Sequence, residues 1–137
     1  MANPHNLFIS HSWTYNTENE GLIKLLNERP YFSYKNYSIP KCDPIHYASN
    51  DRELYEAIKR KMSPCSVILV LAGVYSTYSK WIDHELNIAR NGFYTRKNVI
   101  AIEPWASSRT SSKVKNSADR IVKWQSKSIV DAIRDLS

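Results

Sequence analysis

Apolar residues recur along this chain in short dense runs, separated by longer stretches in which they return at helical spacing. Leu7-Phe8-Ile9 predicts a short strand ending in Ser10-His11-Ser12. Thr17 and Glu20 fit a capping box that opens a helix over Glu18–Glu28, which Pro30 stops. Tyr37-Ser38-Ile39 alternates and ends at Pro40, predicting a short edge strand. Lys41–Ser49, with Pro44 inside it, reads as loop. Asn50 and Glu53 mark a second cap, and Leu54, Ala57, Ile58 and Met62 carry helical spacing up to Ser63-Pro64. Ser66–Leu71 is apolar at every position after its first residue, the pattern of a strand buried on both faces. Gly73 breaks it. A third helix follows over Ser79–Phe93, closed by Asn91-Gly92. Asn98–Ile102 predicts a fourth strand, and Ala106–Ser117 reads as loop with room for a helical turn. Asp119–Trp124 holds a short fifth strand, and Ser128–Leu136 a final helix.

Strands alternating with helices imply an α/β domain whose parallel sheet is covered on both faces. Five such strands point to a flavodoxin-like three-layer sandwich with strand order 2-1-3-4-5, and residues 1–137 read as one domain. In this architecture ligands bind beyond the C-terminal ends of strands 1 and 3, where the order reverses. The residues expected there are Ser10–Trp13, Gly73–Tyr75 and the loop around Asp43.

The third helix carries the most informative residue. At about 100° per residue, Trp81, Ile82, Leu86, Ala89 and Phe93 fall on one side, with Glu85 in their midst. Lys80, Asp83, Asn87 and Arg90 fall on the other. A carboxylate on a core-facing stripe is costly unless it has a partner or a task. Glu85 is therefore the candidate for chemistry, with a buried ion-pair role as the competing structural reading.

Composition narrows the classes. The three glycines, Gly21, Gly73 and Gly92, leave no room for a GxGxxG dinucleotide loop or a P-loop. Strand 1 ends in Ser10-His11-Ser12 and strand 3 in Ala72-Gly73, where a phospho-acceptor receiver needs aspartates. His5, His11, His46 and His84 are scattered without zinc spacing, and no GxSxG elbow is present, so no metal site is expected. Cys42 and Cys65 lack CxxC spacing and read as reduced thiols of a cytoplasmic protein, with a disulfide between them as the other option. No apolar run reaches the roughly 20 residues that span a bilayer, and the N-terminus has no basic segment leading into an apolar stretch, so neither a membrane nor a signal peptide is expected. The net charge of +6 is uneven: residues 105–137 hold seven Lys/Arg against three Asp/Glu. Such an excess attracts polyanions or simply forms a solvated surface. No recognition-helix or aromatic-platform pattern accompanies it, so nucleic acid is not an expected partner.

Phe8-Ile9-Ser10-His11-Ser12-Trp13, the Val67–Leu71 strand and Ser79-x-Trp81-x-x-x-Glu85, taken together and in this order, resemble a TIR domain. The resemblance is to the TIR-like group found in bacterial anti-phage systems such as Thoeris. The loop after strand 2 departs from the common TIR pattern, because Pro40-Lys41-Cys42-Asp43-Pro44 contains no glycine.

Catalytic TIR domains cleave the nicotinamide–ribose bond of NAD⁺, and some cyclise the ADP-ribose into a signalling nucleotide. The resemblance implies that Glu85 is the catalytic glutamate and that NAD⁺ is a substrate, with no further cofactor. It places Ser10, His11, Ser12, Trp13 and Trp81 at the nucleotide cleft, where Asp43 and Tyr75, brought there by the sheet topology, and Phe8 are further candidate contacts. It further implies self-association for activity and a separate effector that reads the product. The alternative within the same family is a non-catalytic scaffold acting through homotypic contacts. Each of these residues also has a structural reading: core packing for Trp81, a strand-end hydrogen bond for Ser10 and Ser12, a surface or structural role for His11.

Overall fold

The structure, a computed structural model, describes residues 5–10, 18–29, 32–37, 50–72, 80–103 and 112–136. Ten elements follow one another: β1 (His5–Ile9), α1 (Glu18–Asn27), β2 (Tyr34–Asn36), α2 (Asp51–Met62), β3 (Val67–Leu71), α3 (Lys80–Asn91), β4 (Asn98–Ile102), α4 (Ser112–Ser117), β5 (Arg120–Val122) and α5 (Ser126–Leu136). The strands form one parallel sheet in the order β2-β1-β3-β4-β5. This is the flavodoxin-like α/β sandwich that the alternation of strands and helices predicts.

Strand parity builds the two outer layers. Leu7, Ile9, Val67, Leu69, Leu71, Ile100 and Ile102 point to one face, where they pack with Leu22 and Leu26 of α1 and Ile129, Val130, Ala132 and Ile133 of α5. Phe8, Ile68, Val70, Val99 and Ala101 point to the other, against Ile58 and Met62 of α2, Ile82, Leu86, Ile88 and Ala89 of α3, and Val114 of α4. All five residues of β3 are buried, as its uninterrupted apolar run requires of a strand covered twice.

Local signals account for the best-matched elements. Asn50 caps α2 by accepting from the Glu53 backbone N–H at 2.8 Å. At the other end, the Ser63 N–H donates to the Lys59 carbonyl at 3.0 Å, and Lys97 Nζ donates to the Ser63 carbonyl at 2.9 Å. α3 ends as expected, with the Gly92 N–H donating to the Ile88 carbonyl at 2.8 Å.

The sequence reading needs correction at the edges. β2 lies at Tyr34–Asn36, three residues before the expected Tyr37–Ile39. Its position is set by pairing with β1, whose His5, Asn6 and Leu7 oppose Tyr34, Lys35 and Asn36. Tyr37 continues the pairing by donating its N–H to the Leu7 carbonyl at 2.9 Å, while residues 38 and 39 lie outside the described residues. β1 starts two residues earlier than its apolar run, because Ser33 accepts from the His5 N–H. Within Ala106–Ser117, expected as loop with room for a helical turn, Ser112–Ser117 forms the short α4, held to the sheet by the buried Val114. β5 shortens to three residues, and α5 begins at Ser126, whose hydroxyl donates to the Leu25 carbonyl of α1. The expected α1 capping box, the Lys41–Ser49 loop and the Gly73 break lie outside the described residues.

Candidate active site

Ser10 directly follows β1, and its N–H extends the ladder by donating to the Leu69 carbonyl of β3 at 3.0 Å. It shares the parity of Phe8, so its side chain emerges on the face covered by α2 and α3. α3 returns along that face and buries Ile82, Leu86, Ile88 and Ala89 against it, leaving Asp83, Asn87 and Arg90 exposed. Glu85 lies on the buried stripe, and its side chain is thereby aimed at the C-terminal end of β1.

The two meet. Ser10 Oγ donates to Glu85 Oε1 at 2.6 Å, and each residue is only 1% exposed. They are the two buried polar residues among the described ones, set in an otherwise apolar layer. The separation is that of a hydroxyl-to-carboxylate bond, about 2.5–2.7 Å, a class roughly twice as strong as neutral hydrogen bonds. It forms at the crevice between β1 and β3 where the strand order reverses, the position at which α/β sheets bind ligands.

Trp81, one turn before Glu85 on α3, is half-buried and packs against the same apolar layer. Phe8 is fully buried within that layer, two residues before Ser10 on the same side of β1. His84 turns toward α2, where its ring meets Tyr55 edge-on at 6.2 Å. Of the residues that the sequence assigned to this site, Ser10 and Glu85 are in direct contact, and Phe8 and Trp81 belong to the apolar layer on the same face of the sheet. His11, Ser12, Trp13, Asp43 and Tyr75 lie outside the described residues. The direct bond from Ser10 to Glu85 was not foreseen, since the sequence offered Ser10 as a substrate contact or strand terminator. Seventy-five residues separate the pair, and only the known parity of β1 and α3 could have hinted at it.

Cys65 is a buried free thiol before β3, far from this crevice along the strand, and burial pushes its pKa up to about 12. It is a packing residue rather than a nucleophile. Among the described residues no cluster of His, Cys, Asp and Glu could hold a metal ion, and no helix is long and apolar enough to cross a membrane.

The sequence model of the Thoeris protein ThsB, TIR-like domain, matches residues 8–109 of this chain. The chain belongs to that family. The match runs from Phe8 through Glu85 and stops short of α4, so it contains both members of the Ser10–Glu85 pair. Membership gives the Thoeris TIR-like domain a place in anti-phage defence. No curated protein matches the chain.

Proposed function

We propose that this domain cleaves the nicotinamide–ribose bond of NAD⁺ and turns the ADP-ribose portion into a signalling nucleotide, cyclic when the adenosine closes the ring. The observation that supports it most is the buried Glu85–Ser10 pair at the switch point of the sheet. Glycoside hydrolysis ordinarily needs a second carboxyl group to protonate a poor leaving group. The nicotinamide of NAD⁺ is a pyridinium, which leaves as a neutral base when the bond breaks and takes the electron pair with it. The remaining task is to stabilise positive charge on the ribose and hold its hydroxyls. One carboxylate in an apolar crevice suits that task, with Ser10 aiming it and Trp81 packing beside the ribose. Water then attacks the ribose and releases a proton to solvent, giving ADP-ribose, or a nucleophile of the adenosine attacks and gives the cyclic product. NAD⁺ is the substrate and no further cofactor takes part. The nucleotide is read by a separate effector in the cytoplasm, and self-association of the domain raises its activity.

The test is nicotinamide release from NAD⁺ at high protein concentration, wild type beside Glu85→Gln, with products resolved by mass. Glutamine keeps an oxygen that accepts from Ser10, so the variant should fold while losing the negative charge. Release lost in a folded variant supports the enzyme. Equal release from both refutes the role of Glu85. No release from either, even with crowding agent or infected-cell extract, favours the scaffold reading, in which Glu85 is a structural partner, held by its bond from Ser10.

A further inference from the structure

The positive charge of this chain is distributed differently in space than in sequence. Of the cations in the last quarter, Lys113 pairs with Asp83, Lys115 with Glu103, Arg120 with Asp135 and Lys127 with Asp131. By contrast, Lys59, Arg60 and Lys61 crowd the last turn of α2 with no carboxylate among the described residues within salt-bridge distance. Lys97 joins them from the turn before β4, anchored to the Ser63 carbonyl. Between α2 and the α3–β4 turn lies a cleft of about 550 Å³, lined by Glu56, Lys59, Arg60, Ser63, Pro64 and Phe93. That volume is within the range of ligand-holding clefts, about 300–1,000 Å³.

The floor and the rim differ in character. Phe93 supplies an aromatic wall, with Lys59 Nζ 5.8 Å and Lys97 Nζ 4.7 Å from its ring centre. Tyr94, next in the chain, is fully exposed. α2 and α3 both end here, and each C-terminus contributes about half a negative charge. With Glu56 counted as well, a remainder of about two positive charges is left over the cleft. Helix-end compensation alone therefore does not account for the four cations.

We propose that this cleft docks an acidic protein segment carrying aromatic or aliphatic side chains. Carboxylates of the segment would meet Lys59, Arg60, Lys61 and Lys97, and an apolar side chain would lie on Phe93 and Pro64. A nucleic acid fits less well, because the cations cluster at one end of α2 and the neighbouring turn rather than along a stripe that could follow a phosphate backbone. The cleft opens at the N-terminal edge of β3 and β4, whereas Ser10 and Glu85 meet at the C-terminal edge. Five-residue strands separate the two edges by about 16 Å, so a docked segment leaves the candidate active site clear. The inference does not depend on the NAD⁺ reading.

Fluorescence anisotropy tests it with a short labelled peptide in which Glu and Asp alternate with Phe and Leu. The expected result is saturable binding at low ionic strength, absent for the same peptide with Gln and Asn in place of the acids. The double variant Lys59→Glu, Arg60→Glu should weaken binding at least tenfold. Lys123→Glu, an exposed cation at the C-terminal end of the edge strand β5, should leave it within twofold. Thermal melts establish that each variant is folded. Should the double variant melt early, Arg60→Glu alone, at an exposed position lining the cleft, should still weaken binding severalfold. Failure of the acidic peptide to bind overturns the proposal, as does equal loss in Lys123→Glu. Tighter binding of a random single- or double-stranded oligonucleotide that depends on the same lysines also overturns it, in favour of a nucleic-acid site.

Discussion

Replacing Ser10 with alanine removes one hydroxyl from the centre of the molecule and leaves the backbone as it was, since the Ser10 N–H bond to Leu69 does not involve the side chain. The hydroxyl donates to Glu85 Oε1 in a layer where both residues are 1% exposed. Water cannot replace it without opening the packing of α3 on β1. A hydrogen bond to a charged group contributes about 1.5–3 kcal/mol, and the missing oxygen adds little cavity. We expect a loss of about 2 kcal/mol from a total stability of about 5–15 kcal/mol. For a chain of this length, that lowers Tm by roughly 6–8 °C. Urea denaturation of Ser10→Ala, Glu85→Gln and the double variant completes a cycle that isolates the pair, with coupling of about 1 kcal/mol expected because glutamine still accepts the bond. If the proposed chemistry holds, Ser10→Ala also lowers the rate of nicotinamide release about ten- to thirtyfold with little change in KM, because a loosened carboxylate binds substrate but aims poorly. A Ser10→Ala protein that melts within about 1 °C of wild type, with no coupling in the cycle, would refute the claim that this bond fixes Glu85.

Other perturbations probe the fold around the site. Asp119 accepts from the buried Val99 N–H at 2.7 Å and pairs with Arg96, so Asp119→Ala should cost about 2 kcal/mol and Asp119→Asn less, as read by thermal melts. With its pKa near 12, Cys65 holds about one thiolate in ten thousand at pH 8. In a Cys42→Ser background, a disulfide reagent should therefore leave the native protein unlabelled and label it fully in guanidinium. Prompt native labelling would contradict the burial. The same raised pKa makes stability fall as pH climbs above the ordinary thiol value of 9.0. His5 stacks on Phe32 at 5.4 Å, and burial, helped by the nearby Arg134, holds its pKa below 6.5. Below that pH the unfolded chain takes up the proton first, so stability falls on acidification, and His5→Gln should flatten the difference in urea midpoint between about pH 7 and pH 5. An unchanged difference would remove His5 from the account.

The crevice was legible in part. Glu85 announced itself through helical periodicity, because a charged residue among Trp81, Ile82, Leu86 and Ala89 violates a pattern confined to one turn or two. Ser10 could be placed at the end of a strand by the same local logic, but its partner could not. β2 was misplaced for a related reason. A three-residue edge strand has too little alternation of its own, and its register comes from β1. The basic last quarter read as a charged surface until tertiary contacts paired Lys113 and Lys115 with carboxylates from α3 and from the residue after β4.

By itself, then, the sequence determined the order and kind of elements, the doubly buried β3, the Asn50 cap and the anomalous position of Glu85. All of these rest on interactions within a few residues, which spacing records directly. Tertiary structure alone decided what crosses the sheet. Gly21, unfavourable inside a helix, makes sense only once Trp124 lies 2.8 Å from where its Cβ would stand. Ser10 meets Glu85 at one edge of the sheet, and Lys59 and Lys97 flank Phe93 at the opposite edge, because the fold brings segments distant in sequence together there. Such contacts depend on how elements are stacked, which local periodicity does not encode.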